Sequence, residues 1–167
     1  MKKLIVILFF LVVFCVLINE EKKIIIPKNA IRFRIIANSN SVNDQEMKIK
    51  IKKDVEKELY KIIENSNDIG SAREKISNNL YKIDNILDDY NVNYNINYGY
   101  NYFPKKEYKG ITYNEGNYES LVITLGEGAG NNWWCVLFPP LCLLDEDDNI
   151  KDIEYKVFAK KLINKLK

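Results

Sequence analysis

Residues 91–103 read NVNYNINYGYNYF, a stretch with a period of two. Val92, Tyr94, Ile96, Tyr98, Tyr100 and Tyr102 fall on one face, and Asn91, Asn93, Asn95, Asn97, Gly99 and Asn101 on the other. Successive side chains of a strand point to opposite faces, so the pattern predicts a strand whose aromatic face lies toward the core or under a helix. Phe103-Pro104 ends it. Upstream the period lengthens. Met47, Ile51, Val55, Leu59 and Ile62/Ile63 recur at helical spacing over residues 41–64, with Lys and Glu on most of the remaining surface. The Asn and Ser of residues 38–41 supply turn and capping groups, and Asp44 and Glu46 fall near the positive end of the helix dipole. Ser71-Ala72-Arg73-Glu74 has the form of a capping box, and Ile76, Leu80, Ile83 and Leu87 make a second stripe. Residues 65–70 are short enough to close the two helices into a hairpin.

Other strands flank this frame. In residues 30–37, Arg32 and Arg34 alternate with Ile31, Phe33 and Ile35. Strands also read around residues 108–113 and over 118–125, with a hairpin turn at Asn114-Glu115-Gly116-Asn117, which suggests an antiparallel meander. Residues 126–145 read as irregular, and residues 153–167 as an amphipathic helix built on Ile153, Val157, Leu162 and Leu166. A block of helices and runs of strands predict an α+β domain. The helical hairpin and the C-terminal helix pack on a small, mainly antiparallel sheet, preceded by an N-terminal export segment.

The 167 residues carry a formal charge of +2, and residues 24–167 hold as many acids as bases. A nucleic-acid binder usually shows a clear basic excess, so that class is excluded. Lysine outnumbers arginine 22 to 3, with 23 Ile and 21 Asn, a bias of AT-rich codon usage that removes Lys and Asn counts as signals. The chain has no histidine. That excludes Ser-His-Asp and Cys-His catalysis and every His-ligated zinc site within it.

Lys2-Lys3 precede an unbroken apolar run at 4–18, followed by Asn19-Glu20-Glu21-Lys22-Lys23. At 1.5 Å per residue the run reaches roughly 22 Å, short of the ~30 Å hydrocarbon core and at the top of the signal-peptide range. The leading lysines orient it with residues 1–3 in the cytoplasm and the rest exported. No small residue offers a cleavage site before Ala30, and Phe14 is too large to precede a lipoprotein Cys15. Residues 1–23 therefore read as a signal peptide or a short membrane anchor, 24–29 as a tether, and 30–167 as one globular domain.

Cys135 and Cys142 fall close together in a chain read as exported, where a disulfide is permitted. Closing that eight-residue ring contributes about 2.5 kcal/mol in the chain-entropy picture. Two reduced, buried cysteines are the alternative. As a nucleophile Cys135 lacks a histidine base and has acidic neighbours, which raise a thiol pKa. Gly126, Gly128 and Gly130 follow a strand but lack both the dinucleotide spacing and a Gly-Lys-Ser/Thr. They read as a tight turn needing positive φ. The acidic run at 145–148 lacks calcium-loop spacing. No cofactor or metal is expected. Trp133 and Trp134 carry much apolar area between Gly and Pro, and serve either as core or as anchors for a partner. The paired arginines of the first strand find carboxylates or backbone carbonyls at the surface, or take part in binding.

Two blocks go beyond pattern. Residues 30–59, AIRFRIIANSNSVNDQEMKIKIKKDVEKEL, and residues 116–145, GNYESLVITLGEGAGNNWWCVLFPPLCLLD, closely resemble the stage II sporulation protein R family of endospore-forming Firmicutes. The resemblance spans about residues 30–145, and the second block is the more specific. It departs from the family at Lys52-Lys53-Asp54, where an Arg-Asp pair is common. The resemblance implies a signalling protein with no catalytic residues of its own. Such a protein is exported from the forespore into the space between two membranes. There it activates a membrane-embedded aspartic peptidase of the mother cell, which removes the pro-sequence of sigma-E. On this reading Trp133, Trp134, Phe138, Pro139 and Pro140 form the apolar contact with the peptidase. Arg32 and Arg34 supply its rim, and residues 4–18 touch the membrane if uncleaved. The rival class is an exported envelope hydrolase using Glu119, Glu127 and Asp145; a third is a structural envelope component.

Overall fold

The computed structural model describes residues 24–25, 30–108 and 111–140. The apolar run at 4–18, Cys142, Asp145 with the acidic run, and the helix expected at 153–167 lie outside the described residues. The described elements confirm the α+β class: strands β1 (Ile24–Ile25) and β2 (Ile31–Ile36), helices α1 (Val42–Ile63), α2 (Ile69–Asn78) and α3 (Leu80–Asp88), then strands β3 (Tyr94–Phe103), β4 (Lys106–Tyr108), β5 (Ile111–Tyr113), β6 (Gly116–Leu125) and β7 (Asn132–Phe138). None of the described helices is long and apolar enough to cross a membrane.

Helix α1 begins where Ser41, in extended backbone, accepts a hydrogen bond from the Asp44 N–H at 3.2 Å. It ends at Glu64, whose N–H returns to Tyr60 O; Asn65 follows with φ 61°, a left-handed conformation that asparagine tolerates. The second helix departs from expectation. Its cap is Asp68, whose carboxylate accepts from Ser71 N–H at 2.8 Å, so Ser71 lies inside the first turn. An aspartate three residues ahead of a serine competes equally well for the cap. The helix also breaks at Asn79 (φ −121°, ψ 15°), whose side chain donates to Lys75 O at 2.8 Å, so one expected helix is two. The stripe survives the break: Ile76, Ile83 and Leu87 are buried, and Leu80 packs half-buried against the core.

Strands β3, β6, β2 and β7 form one sheet in that order. β6 runs antiparallel to β3 and parallel to β2, and β7 runs antiparallel to β2. The sheet is thus mainly antiparallel but mixed, and β2 enters it between two strands from the far end of the chain. The expected meander is replaced. Pro104–Glu115 leave the sheet between β3 and β6 and carry β4 and β5, which pair with each other. β5 also pairs in parallel with β1, so Ile24–Ile25 of the expected tether are a strand. The described residues divide accordingly into two compact units, 24–25 with 104–108 and 111–115, and 30–103 with 116–140.

In the larger unit, one face of the sheet carries Ile31, Phe33 and Ile35 of β2 with Leu121, Ile123 and Leu125 of β6. These residues join Ile51, Val55 and Leu59 of α1 and the stripes of α2 and α3 in a single core. Burying each such side chain stabilises the fold by about 1.5–3 kcal/mol. Alternation sends Arg32 and Arg34 to the opposite face, which carries none of the three described helices.

Candidate partner-docking face

The region read as irregular contains β7, which adds Trp-Trp-Cys-Val-Leu-Phe to the free side of β2. Its aromatic and β-branched residues suit a pleated surface, and the Gly and Pro clusters only bound it. The strand separates the two tryptophans. Trp133 sits opposite Ile35 and Trp134 opposite Arg34, so they point to different faces. On the helical face Trp133 meets Phe33 edge-on at 5.8 Å, and the Lys52 ammonium lies 4.3 Å from its ring centre. On the other face Trp134 meets Phe103 edge-on at 5.3 Å. Both tryptophans are half-buried, while Phe138, Pro139 and Pro140 are buried. Of the five expected apolar contact residues, only the tryptophans reach the surface, and on opposite sides.

The two arginines also differ. Arg32 is 0% exposed, with its guanidinium stacked 3.4 Å from the Tyr118 ring centre and about 5 Å from Phe103 (5.0 Å) and Trp134 (5.1 Å). A planar, weakly hydrated guanidinium is suited to such an aromatic box. Arg32 therefore belongs to the interior of this face and not to a rim. Arg34 is half-buried, lies 5.5 Å from the Phe103 ring, and donates from Nη1 to Tyr102 O at 3.4 Å. Burial lowers its pKa from the ordinary guanidinium value, and it stays charged. Trp134 and Arg34 are the two sequence candidates that share one face and keep partial exposure there, beside the buried Tyr118, Val122 and Val136.

The Gly126–Gly130 segment holds no phosphate cradle: Gly126 N–H donates to Asn93 O and Gly128 N–H to Leu125 O, and the other three N–H groups go to the loop before α1. Ala129 and Gly130 donate to Asn38 O and Ala37 O at 3.0 and 2.9 Å, and Glu127 N–H donates to Asn38 Oδ1 at 3.0 Å. Asn131 N–H donates to Asn40 Oδ1 at 2.7 Å. Ser39 and then Asn38 donate to Asp44, holding its carboxyl below the usual carboxylate range. Lys48, 5% exposed, closes the junction by donating to Gln45 Oε1 at 2.6 Å and Asn131 O at 2.9 Å, and burial lowers its pKa. Sequence reasoning places Lys48 on the solvent side of the helix; only the loop's arrival there explains its burial. Beside the junction a cavity of about 220 Å³ is lined by Met47, Val92 and Leu125 with Asn38, Asn93 and Asp44.

Of the carboxylates of the hydrolase reading, Glu119 is held in a clamp. Glu119 receives two hydrogen bonds from Arg73, each 2.7 Å, and one from Tyr98 Oη at 3.0 Å. The Arg73 pairing holds Glu119 below the usual carboxylate range, the opposite of what a general acid needs. Glu127 is exposed on the glycine turn, and Asp145 is outside the described residues. No group of three His, Cys, Asp or Glu residues able to hold a metal occurs among the described residues. Cys135 lies buried on the helical face opposite Phe33, and Cys142 is outside the described residues.

The family described as "Stage II sporulation protein R (spore_II_R)" matches residues 27–148. The stage II sporulation protein R of Bacillus subtilis (strain 168) is 38% identical over 156 residues, covering 89% of this chain and 70% of that protein. No solved structure matches the chain.

Proposed function

The chain belongs to the stage II sporulation protein R family, and from that membership we propose that it is an exported sporulation signal. It activates a membrane-embedded aspartic peptidase and thereby leads to pro-sigma-E processing in the mother cell. The observation that carries the reading is the family match over residues 27–148. The clamped state of Glu119 and the histidine-free sequence fit a protein that acts by contact, without bond-making chemistry of its own.

The chain leaves the forespore through the export segment at 1–23 and works in the intermembrane space. Activation requires that it bind the active arrangement of the peptidase better than the resting one. Trp134 and Arg34 offer the most suitable contact: an aromatic anchor and a guanidinium opposite each other on adjacent strands of the face without described helices. Arg32 holds that surface from within, while Phe138 packs in the helical-side core and Trp133 holds β7 to the helical face. A Cys135–Cys142 bond fixes the end of β7 and lowers the ordering cost of docking.

The test is co-expression of the full chain with the peptidase and pro-sigma-E. Processing is expected with the native chain and is lost with Trp134→Ala and Arg34→Glu, each verified as folded and exported. Trp133→Ala is expected to fail through weakened packing, with less folded protein. Full processing by folded Trp134→Ala and Arg34→Glu rejects the docking face, and no processing by the native chain rejects the activator reading.

A further inference from the structure

Strand β3 stands at the outer edge of the four-stranded sheet, and its inner side pairs with β6 along all ten residues without a bulge. From Tyr94 to Phe103 it contains no charged residue and no proline. The core accounts for its first half only. Tyr94, Ile96 and Tyr98 pack against the core; Tyr94 Oη donates to Asp88 and Tyr98 Oη to Glu119. Further along the same face Tyr100 is 76% and Tyr102 57% exposed. An edge strand presents a row of backbone donors and acceptors, which natural sheets blunt by shortness, a lysine, a proline or a bulge. β3 has none of these.

We infer that β3 is the seam of a symmetric dimer, with a second copy of this chain as the occupant, joined edge to edge and antiparallel. A strand kept for a different protein must also reject copies of itself, which takes a charge or a kink on the edge. β3 carries neither, so nothing in it opposes its own copy. Its sequence is also self-complementary. A two-fold axis beside Tyr98 or Gly99 sets Tyr100 opposite the copy's Ile96 or Tyr98. The same axis sets Asn97 opposite the copy's Gly99 or Asn101. Aromatic–aliphatic and aromatic–aromatic cross-strand pairs are favourable, and paired amides hydrogen-bond. A membrane surface is the poorer occupant, because lipid leaves edge N–H and C=O groups unsatisfied.

The experiment replaces the exposed Asn97 with a photoreactive phenylalanine analogue in the full chain, in cells with and without the peptidase. The expected adduct has twice the mass of the chain in both. Combining the probe with Tyr100→Lys and Tyr102→Lys abolishes the adduct, whereas Tyr100→Phe with Tyr102→Phe retains it. A folded chain that yields no self-adduct, an adduct with the peptidase alone, or a lysine variant that still self-links overturns the inference.

Discussion

Replacing Gly130 with alanine tests the junction between the glycine turn and the loop ahead of α1. Gly130 has no left-handed φ, so the effect is steric. An added Cβ falls far inside contact with Ser39 O, 2.6 Å from the Ser39 carbonyl carbon and 2.9 Å from Ala37 Cβ. Two of these atoms are backbone, which cannot swing aside. The turn must therefore retreat, weakening the bonds from Ala129 and Gly130 to Asn38 O and Ala37 O. Each backbone bond contributes about 1 kcal/mol net, and overpacking costs about 1–3 kcal/mol, so Gly130→Ala is expected to lose about 3 kcal/mol. That is a large part of the roughly 5–15 kcal/mol that holds a domain together. Gly99→Ala is the internal control. Its Cβ meets only Asn97 Oδ1, at 3.6 Å, and its φ is not left-handed. Restricting the unfolded chain there is worth about 0.4–1 kcal/mol in favour of folding. Urea unfolding of the full chain followed by tryptophan fluorescence reads both, because Trp133 and Trp134 lie in β7 just beyond the turn. If Gly130→Ala unfolds within about 0.5 kcal/mol of the native chain, or no differently from Gly99→Ala, the junction does not hold the loops as described.

Glu119→Gln removes the charge that Arg73 and Tyr98 share, and is expected to cost about 2 kcal/mol at neutral pH, as for hydrogen bonds to a charged group. The folded pKa of Glu119 is depressed, so its contribution is present above the unfolded value and is lost as pH falls through the folded one. Urea midpoints of the native chain and the Glu119→Gln variant should therefore converge in acid, and a constant gap down to the lowest pH at which the chain folds would contradict the clamp. The Tyr90 hydroxyl donates to Asp54 at 2.6 Å, and the hydrogen bond to Asp54 pushes its pKa up to about 12. A raised tyrosine pKa stabilises the fold below the unfolded value and the contribution is lost as pH rises past the folded one. Ultraviolet titration should show Tyr90 ionising late, and Asp54→Asn should bring it back toward ordinary tyrosine; an unchanged curve refutes the bond.

Much of this architecture is legible in the sequence because it rests on local periods. The stripe Ile51-Val55-Leu59 specifies α1, and the alternation around Phe33 and across residues 91–103 specifies β2 and β3. Long-range terms decide what is not legible. β7 becomes a strand because β2 offers it an edge, a fact absent from residues 126–145 themselves. The parallel pairing of β2 with β6 leaves no local mark either. At the candidate face, Arg32 and Arg34 are a pair by alternation, yet the first lies in an aromatic box and the second near the surface. That difference comes from Tyr118 and Phe103, far along the chain. The Arg73–Glu119 clamp likewise joins residues that no spacing connects. Its only sequence trace is that Arg73 is one of three arginines in a chain with 22 lysines.

The central place of β2 makes folding wait for the end of the chain. Arg32 pairs with Ser120 on one side and Val136 on the other, so the first strand of the four-stranded sheet receives both neighbours last. Contacts of such high sequence separation form slowly, because a long loop must close before any pairing rewards it. As the chain folds, α1 to α3 can coil early, but their apolar stripes have no completed sheet to cover until β6 and β7 arrive. A chain cut short before Phe138 keeps β2 open along one side, a substrate for degradation and not a weaker version of the whole. Closure of the sheet around β2 therefore depends on the chain being present through Phe138.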